Sequence, residues 1–387
     1  MAFPETLHLF CRVVDNLGDI GVCWRLARQL AHEHDLAVTL WVDDLHALKK
    51  ICAPADATLD LQRVSGVTIR RWPVHFGPVS PHETGDIVIE AFACDLPPAY
   101  IEAMAKREVA PVWINLEYLS AEAWVEGCHA LASPHPKLPL VKHFFFPGFT
   151  KKTGGLILER DLLACRDLFQ SDKAAQREFL ITLGVQPIDN ALLISLFCYP
   201  HAPIAQLFDA LSVNSSRPVL CLVPQGVASE AITAFLQQPA EAGVSATREH
   251  LTVRVIPFVG QDAYDRLLWT CDLNFVRGED SFVRAQWAAR PFVWQIYPQQ
   301  DGAHEVKLDA FLSHYLATIR SDVAASAGNF WHAWNGVQAG SSDMRSNWAH
   351  LADALPELAE IGPDWAKGLS ANGDLAGSLV GFVRALR

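Results

Sequence analysis

Asp15 and Asp19 stand four residues apart in the stretch VVDNLGDIGVCWRLARQL, residues 13–30, where a strand-like apolar run gives way to an amphipathic helix. In nucleotide-binding folds this junction usually carries glycines, so that a phosphate can sit against the free N–H groups of the helix. Two carboxylates repel a phosphate and suit a cation or a proton in transfer. Either acid alone serves equally well as an N-cap, which stabilises a helix by about 1 kcal/mol over alanine. A helix has one N-cap, however, and the pair exceeds it. Between the acids, Asn16, Leu17 and Gly18 form the floor of the loop, with Gly18 letting a ligand approach the backbone.

A second constellation lies in LNFVRGEDSFVRAQWAAR, residues 273–290. An apolar strand ends at Val276, Arg277 and Gly278 make a turn, and Glu279, Asp280 and Ser281 open a helix. That helix start offers N–H groups to a diphosphate, Arg277 a fixed cation and Ser281 a hydroxyl. An ordinary capped helix accounts for the acids but not for the Arg-Gly entry. Glu279 would crowd an anion, so it is expected to face a sugar, a ribose hydroxyl or a cationic acceptor. Phe197 and Tyr199 of FCYPHAP (197–203) share one face of a strand end and could sandwich a flat base, although core packing explains them as well. Gln261 and Tyr264 of GQDAYDRL (260–267) sit at a helix start, where they read a base edge or merely cap. Weaker signals are Asn115, Glu117 and Tyr118 in INLEYLSAE, the aromatic FFFPGF (144–149), the glycine turn TGGL (153–156), and Tyr297 with Gln299 in YPQQDGAH (297–304), which could close over a ligand. No His or Cys cluster has metal-ligand spacing, and no GxSxG, Walker A or GxGxxG motif occurs, so chemistry without metal or cofactor is expected.

The elements that position these residues alternate. Strand patterns at 7–14, 37–42, 67–72, 86–92 and 110–116 are separated by helical ones, the rhythm of a doubly wound parallel sheet. The segment SPHPKLPLVKHFFFPGFTKKTGG reads as an irregular loop system. The pattern resumes with strands at 191–199, 218–224, 251–259, 273–278 and 291–298, and DLAGSLVGFVRALR closes the chain as a short amphipathic helix. We expect two α/β domains facing a cleft: an acceptor-binding domain of residues 1–185 plus the helix 366–387 packing back on it, and a nucleotide-sugar-binding domain of residues 186–365. GT-B transferases and some epimerases are built this way, so fold alone does not decide function.

Composition narrows the classes. The chain of 387 residues is half apolar and 19% charged, able to bury a sizeable core. The formal charge of −12 disfavours nucleic acid as partner. No run approaches the roughly 18 apolar residues of a membrane helix, and MAFPETLHLF lacks the basic start of a secretory leader. Nine scattered cysteines without a CxxC pair point to reduced thiols and a cytoplasmic setting.

Taken together, VVDNLGDIGVCWRLAR, INLEYLSAE, FFFPGFTKKTGGL and RGEDSFVRAQWAARPFVWQIYPQQDGAH resemble the bacterial protein-arginine rhamnosyltransferases that modify translation elongation factor P, the EarP family. The resemblance runs nearly end to end, with 205–250 matched by pattern only. It implies a GT-B fold, a TDP-β-L-rhamnose donor and inverting transfer to an arginine of elongation factor P, with no membrane or nucleic acid involved. It further implies Asp19 as general base with Asp15 beside it, and Glu279 as the other catalytic carboxylate. Donor contacts are implied at Asn16, Leu17, Gly18 and Asp19, at Phe197, Tyr199, Gln261 and Tyr264, and at Arg277, Gly278, Glu279, Asp280, Ser281 and Tyr297. A guanidinium is a poor nucleophile, and carboxylates can hold it and accept its proton as the C–N bond forms. A different GT-B transferase or an epimerase acting on a small acceptor, and a non-catalytic nucleotide-sugar sensor, are the alternatives; the sensor leaves the two acids unexplained.

Overall fold

A computed structural model describes residues 5–15, 17–213, 217–299, 302–337 and 343–387. Asn16, an expected donor contact, lies outside the described residues. The chain forms two compact units, Met1–Arg160 with Gly368–Arg387, and Asp161–Lys367. Contacts thus divide the chain at 160/161, ahead of the expected 185/186. The reason is packing: Phe179, Leu180, Leu183 and Val185 are buried against Leu220, Leu222 and Ile256 of the second unit.

The first unit is built on an eight-stranded sheet. Its strands are β1 (Thr6–Cys11), β2 (Ala37–Val42), β3 (Leu61–Val64), β4 (Val67–Arg71), β5 (Ile87–Ala91), β6 (Val112–Leu116), β7 (Ala132–Pro134) and β8 (Val141–Phe145), in the order β3-β4-β2-β1-β5-β6-β8-β7. The central pairings are parallel, with Leu7 beside both Val38 and Ile87. The edge strands β3 and β7 pair antiparallel. Strands buried on both faces read as near-continuous apolar runs, which is why they were legible. The expectation of an irregular loop system around 134–156 is corrected in part: Val141–Phe145 is a strand paired to β6 and β7. Lys142 and His143 interrupt its apolar residues, Pro139 and Pro147 flank it, and its partner β6 lies well before it in the chain.

The glycine turn at 153–156 has a packing role. Gly155 has φ +73°, and a Cβ there would lie 2.6 Å from the carbonyl oxygen of Gly373. This close approach lets Leu156 accept the backbone N–H of Leu375 and docks the closing helix, Leu375–Ala385, on the first unit. Gln29 adds hydrogen bonds to the Leu158 carbonyl and to Asp374, which caps that helix.

In the second unit the strands are β9 (Leu192–Leu196), β10 (Val219–Pro224), β11 (Ser245–Arg248), β12 (Leu251–Ile256), β13 (Leu273–Arg277) and β14 (Phe292–Gln295), in the order β11-β12-β10-β9-β13-β14. All pairings are parallel except that of the edge strand β11. Three helices, Ala303–Tyr315, Ser321–Asn335 and Met344–Ser370, occupy a stretch in which the sequence patterns singled out no element. The last contains Pro356 and Pro363, residues that ordinarily break a helix. Burial anchors this helix through Trp348, Leu351, Leu358 and Ala366, and the helix before it through Trp331 and Trp334, of which Trp334 packs edge-on to Phe275 of β13.

Two helices carry the expected donor residues, Gln261–Thr270 and Asp280–Ala288. A buried ion pair locks them together: Arg284 Nη2 lies 2.7 Å from Asp265 Oδ2 and Arg284 Nε donates to Oδ1 at 3.0 Å. Removing one partner leaves a buried charge uncompensated. Asp265→Ala should therefore destabilise the protein by about 3–5 kcal/mol in chemical denaturation, with Asp265→Ala/Arg284→Met recovering part of the loss. A single variant as stable as the parent would show that the pair holds nothing.

Candidate functional site

Among the parallel strands of each sheet, those before and after one point run outward in opposite directions. In the first unit that place lies between β1 and β5, in the second between β9 and β13. Open α/β sheets bind ligands at the carboxyl ends of such strands, and both acidic and Arg-Gly constellations emerge there.

After β1 the chain turns through residues 12–17 into the helix Gly18–Glu33. Asp19 is 2% exposed. Its Oδ2 accepts the backbone N–H groups of Val14 and Asp15, both at 2.8 Å, and Asp43 Oδ1 accepts that of Val13 at 2.9 Å. Three successive N–H groups that a phosphate loop would turn toward an anion are consumed by the protein's own carboxylates. The capping alternative for Asp19 does not hold: Leu17 occupies the N-cap position and supplies no side-chain cap. Asp15 is half-buried. Its Oδ2 comes so close that a Cβ on Gly18 would lie 2.7 Å away, so a side chain there would push this carboxylate aside.

Opposite Asp19 stands Tyr118, whose hydroxyl donates to Asp19 Oδ1 at 3.1 Å. Its ring stacks on Phe92, 4.3 Å between centroids and 13° between planes. Phe92, Ala93 and Asp95 have φ of +57°, +51° and +56°, a left-handed run of non-glycine residues costing on the order of 1–2 kcal/mol each. Bonds from Phe92 N to Leu116 O at 2.7 Å and from Ala93 N to Asn115 Oδ1 at 3.1 Å hold this turn. INLEYLSAE therefore contributes two residues here, Asn115 to the turn and Tyr118 to the acid; spacing alone could not reveal the second partnership, because 99 residues separate Tyr118 from Asp19.

In the second unit Arg277 is the centre. Its guanidinium carbon lies 4.6 Å from the Phe197 ring centroid and 4.7 Å from that of Tyr199, and Nη1 donates to the Cys198 carbonyl at 3.2 Å. The two rings that were expected to sandwich a base thus flank the arginine and aim it. Both rings are buried, and both lie just past β9, which ends at Leu196. Burial drives the neighbouring Cys198 thiol up to about 12, opposed by the Arg277 charge. Burial, then Arg277 and His304, holds His201 below the ordinary imidazole range; His201 is stacked on Tyr199.

Gly278 takes φ +58°, and its carbonyl accepts Trp294 Nε1 at 2.8 Å. The Ser281 hydroxyl donates to the Arg277 carbonyl and accepts the Arg277 N–H, so it closes the turn and its proton is already committed. Glu279 is the N-cap residue of the following helix and makes no side-chain cap there. Asp280 Oδ2 accepts Gln261 Nε2 at 2.9 Å, which joins Gln261, itself 5% exposed, to the helix start. Tyr264 lies against Phe197, 5.6 Å between centroids, and burial pushes its phenol far above the ordinary range. Tyr297 packs edge-on to Tyr199 and remains 46% exposed. Phe197, Tyr199, Tyr264, Arg277 and Tyr297 are thus one cluster, joined through Gln261 and Asp280 to the helix start.

Comparison with known proteins places this geometry. Residues 7–384 match the profile of a family described as elongation-factor P (EF-P) rhamnosyltransferase EarP. The chain is 52% identical over 380 residues to the protein-arginine rhamnosyltransferase of Pseudomonas putida, covering 98% of each. A solved structure concerning EarP-mediated arginine glycosylation of translation elongation factor EF-P is 39% identical, with a TM-score of 0.69 over 98% of this chain and 99% of that one. A UGT transferase from Siraitia grosvenorii solved with UDP shares only the fold, at 11% identity and a TM-score of 0.53 over 99% of each chain. The architecture is accordingly GT-B. With two switch points, one built of carboxylates and one around an arginine, the chain belongs to the EF-P rhamnosyltransferase (EarP) family of protein-arginine rhamnosyltransferases.

Proposed function

We propose that this glycosyltransferase moves L-rhamnose from TDP-β-L-rhamnose to an arginine side chain of translation elongation factor P, in the cytoplasm, with inversion and without a metal or cofactor. The observation that carries the reading is the state of Asp19: a buried carboxylate at a ligand-binding switch point, one oxygen fixed by two backbone N–H groups. An acceptor guanidinium is protonated at neutral pH and must lose a proton as it becomes a substituted nitrogen. In this reading Asp19 is the general base, Asp15 shares in holding the cation, and Glu279 is the second catalytic carboxylate.

The donor belongs to the second unit. Arg277 and the N–H groups of the helix beginning at Asp280 answer the charge of the diphosphate. Phe197, Tyr199, Gln261, Tyr264 and Tyr297 receive the thymidine part, with Gly278, Glu279, Asp280 and Ser281 shaping the turn beneath it. The acceptor nitrogen attacks the anomeric carbon from the face opposite TDP. The C–N bond forms as the bond to the diphosphate oxygen breaks, the oxygen leaves with the electron pair, and the proton passes to Asp19. One displacement converts the β-linked sugar into an α-linked one. Stabilising the leaving charge with preset donors is the largest contribution such a site can make.

A transferase for a small acceptor, or an epimerase, would use the same diphosphate cradle, but neither calls for carboxylates that consume the loop's own N–H groups.

Intact-mass spectrometry of elongation factor P incubated with this protein and TDP-L-rhamnose should show a gain of one deoxyhexose, mapped by fragmentation to an arginine. A gain on another residue type, or none with donor bound, would overturn the acceptor assignment. Calorimetry should show Arg277→Ala weakening TDP binding by about 10- to 100-fold, the worth of a charge-assisted hydrogen bond. Unchanged affinity would remove Arg277 from the diphosphate site.

A further inference from the structure

Tyr118 has no part in the proposed reaction so far, yet its hydroxyl bonds Oδ1, the oxygen of Asp19 that the two backbone N–H groups leave. Oδ2 is fully engaged by the N–H groups of Val14 and Asp15, so Oδ1 is the oxygen left to meet an acceptor. A carboxylate oxygen accepts two hydrogen bonds in its plane. Tyr118 Oη supplies one at 3.1 Å, which orients the other position for an incoming N–H.

The ring is as deliberately placed as the hydroxyl. It lies flat on Phe92, and Phe92 opens the left-handed run at 92–95 that the backbone sustains with bonds to Leu116 and Asn115. Tyr118 nevertheless keeps 39% of its surface exposed, beside a carboxylate that is 2% exposed. A large aromatic side chain held rigid, partly in solvent, and bonded to a buried acid has the form of a recognition platform. Guanidinium is planar, weakly hydrated and stacks readily on aromatic faces, unlike a strongly hydrated ammonium.

We propose that Tyr118 is an acceptor-positioning residue: its hydroxyl sets Oδ1 of Asp19, and its ring, backed by Phe92, supports the guanidinium of the acceptor arginine. The inference rests on the proposed arginine acceptor and deepens it. It separates two contributions carried by one side chain. The hydroxyl acts through Asp19 on turnover, whereas the ring acts on acceptor binding.

Steady-state kinetics of Tyr118→Phe and Tyr118→Leu, with elongation factor P as varied substrate and TDP calorimetry alongside, test this. Tyr118→Phe should lower kcat about 10- to 100-fold with the acceptor KM unchanged. Tyr118→Leu should lower kcat similarly and also raise the acceptor KM about tenfold. TDP affinity should be unchanged in both. Should the leucine variant not fold, Tyr118→Trp retains a ring and should keep the parental acceptor KM while losing kcat. A phenylalanine variant with parental kcat, or a loss of TDP affinity in the folded variants, would overturn the proposal, since a merely structural tyrosine would not split kcat from KM. Absence of any transfer to arginine by the parent protein would instead overturn the underlying function.

Discussion

In the proposed reaction a carboxylate takes a proton from a guanidinium, which needs a fixed position more than freedom, and the backbone gives Asp19 such a position. The N–H groups of Val14 and Asp15 both point at Oδ2, Val13 is turned to Asp43, and the loop after β1 is closed on its own acids. The same arrangement removes the loop's capacity to bind an anion. Gly18 suits it, since a side chain there would displace the Asp15 carboxylate. The strained turn at Phe92 and the placement of Tyr118 suit it as well, because they secure the remaining oxygen.

The second unit solves the opposite electrostatic problem with the same topology. Its switch point presents a cation in place of two acids. Arg277 is steadied by aromatic faces on either side, by the Cys198 carbonyl, and by a turn that Ser281 and Trp294 tie down. The helix behind it is braced by the Arg284–Asp265 pair. Under the proposed function, one oriented guanidinium and a helix start would be what this negatively charged chain uses to hold a diphosphate. The division of charge is what the proposed reaction demands, acids for a cationic acceptor and an arginine for an anionic leaving group.

Much of this was readable from the residues. The parallel sheets announce themselves because strands buried on both faces are apolar throughout, and the two motifs stood out because acids and Arg-Gly entries are unusual at strand ends. What was not readable depends on contacts between distant residues. Tyr118 meets Asp19 only because β5 and β6 lie beside β1, and Arg277 occupies the gap between Phe197 and Tyr199 only because β13 lies beside β9. Ser281 looked like a free hydroxyl until its turn was seen to use it. The helix Met344–Ser370 contains two prolines, and burial of Trp348, Leu351, Leu358 and Ala366 accompanies it. β8 was hidden because Lys142 and His143 interrupt its apolar residues and prolines flank it. In each case a local rule was overridden by packing or pairing that no window of sequence contains.

The account stands most directly on Asp19 acting on the acceptor. Asp19→Asn keeps the shape of the side chain and removes its ability to accept the proton. Turnover with elongation factor P and TDP-L-rhamnose should fall by about a thousandfold or more, in the range typical of losing a general base, while calorimetry shows TDP bound as tightly as by the parent. A variant that still transfers rhamnose at the parental rate would contradict the account, and so would one that fails because it no longer binds TDP.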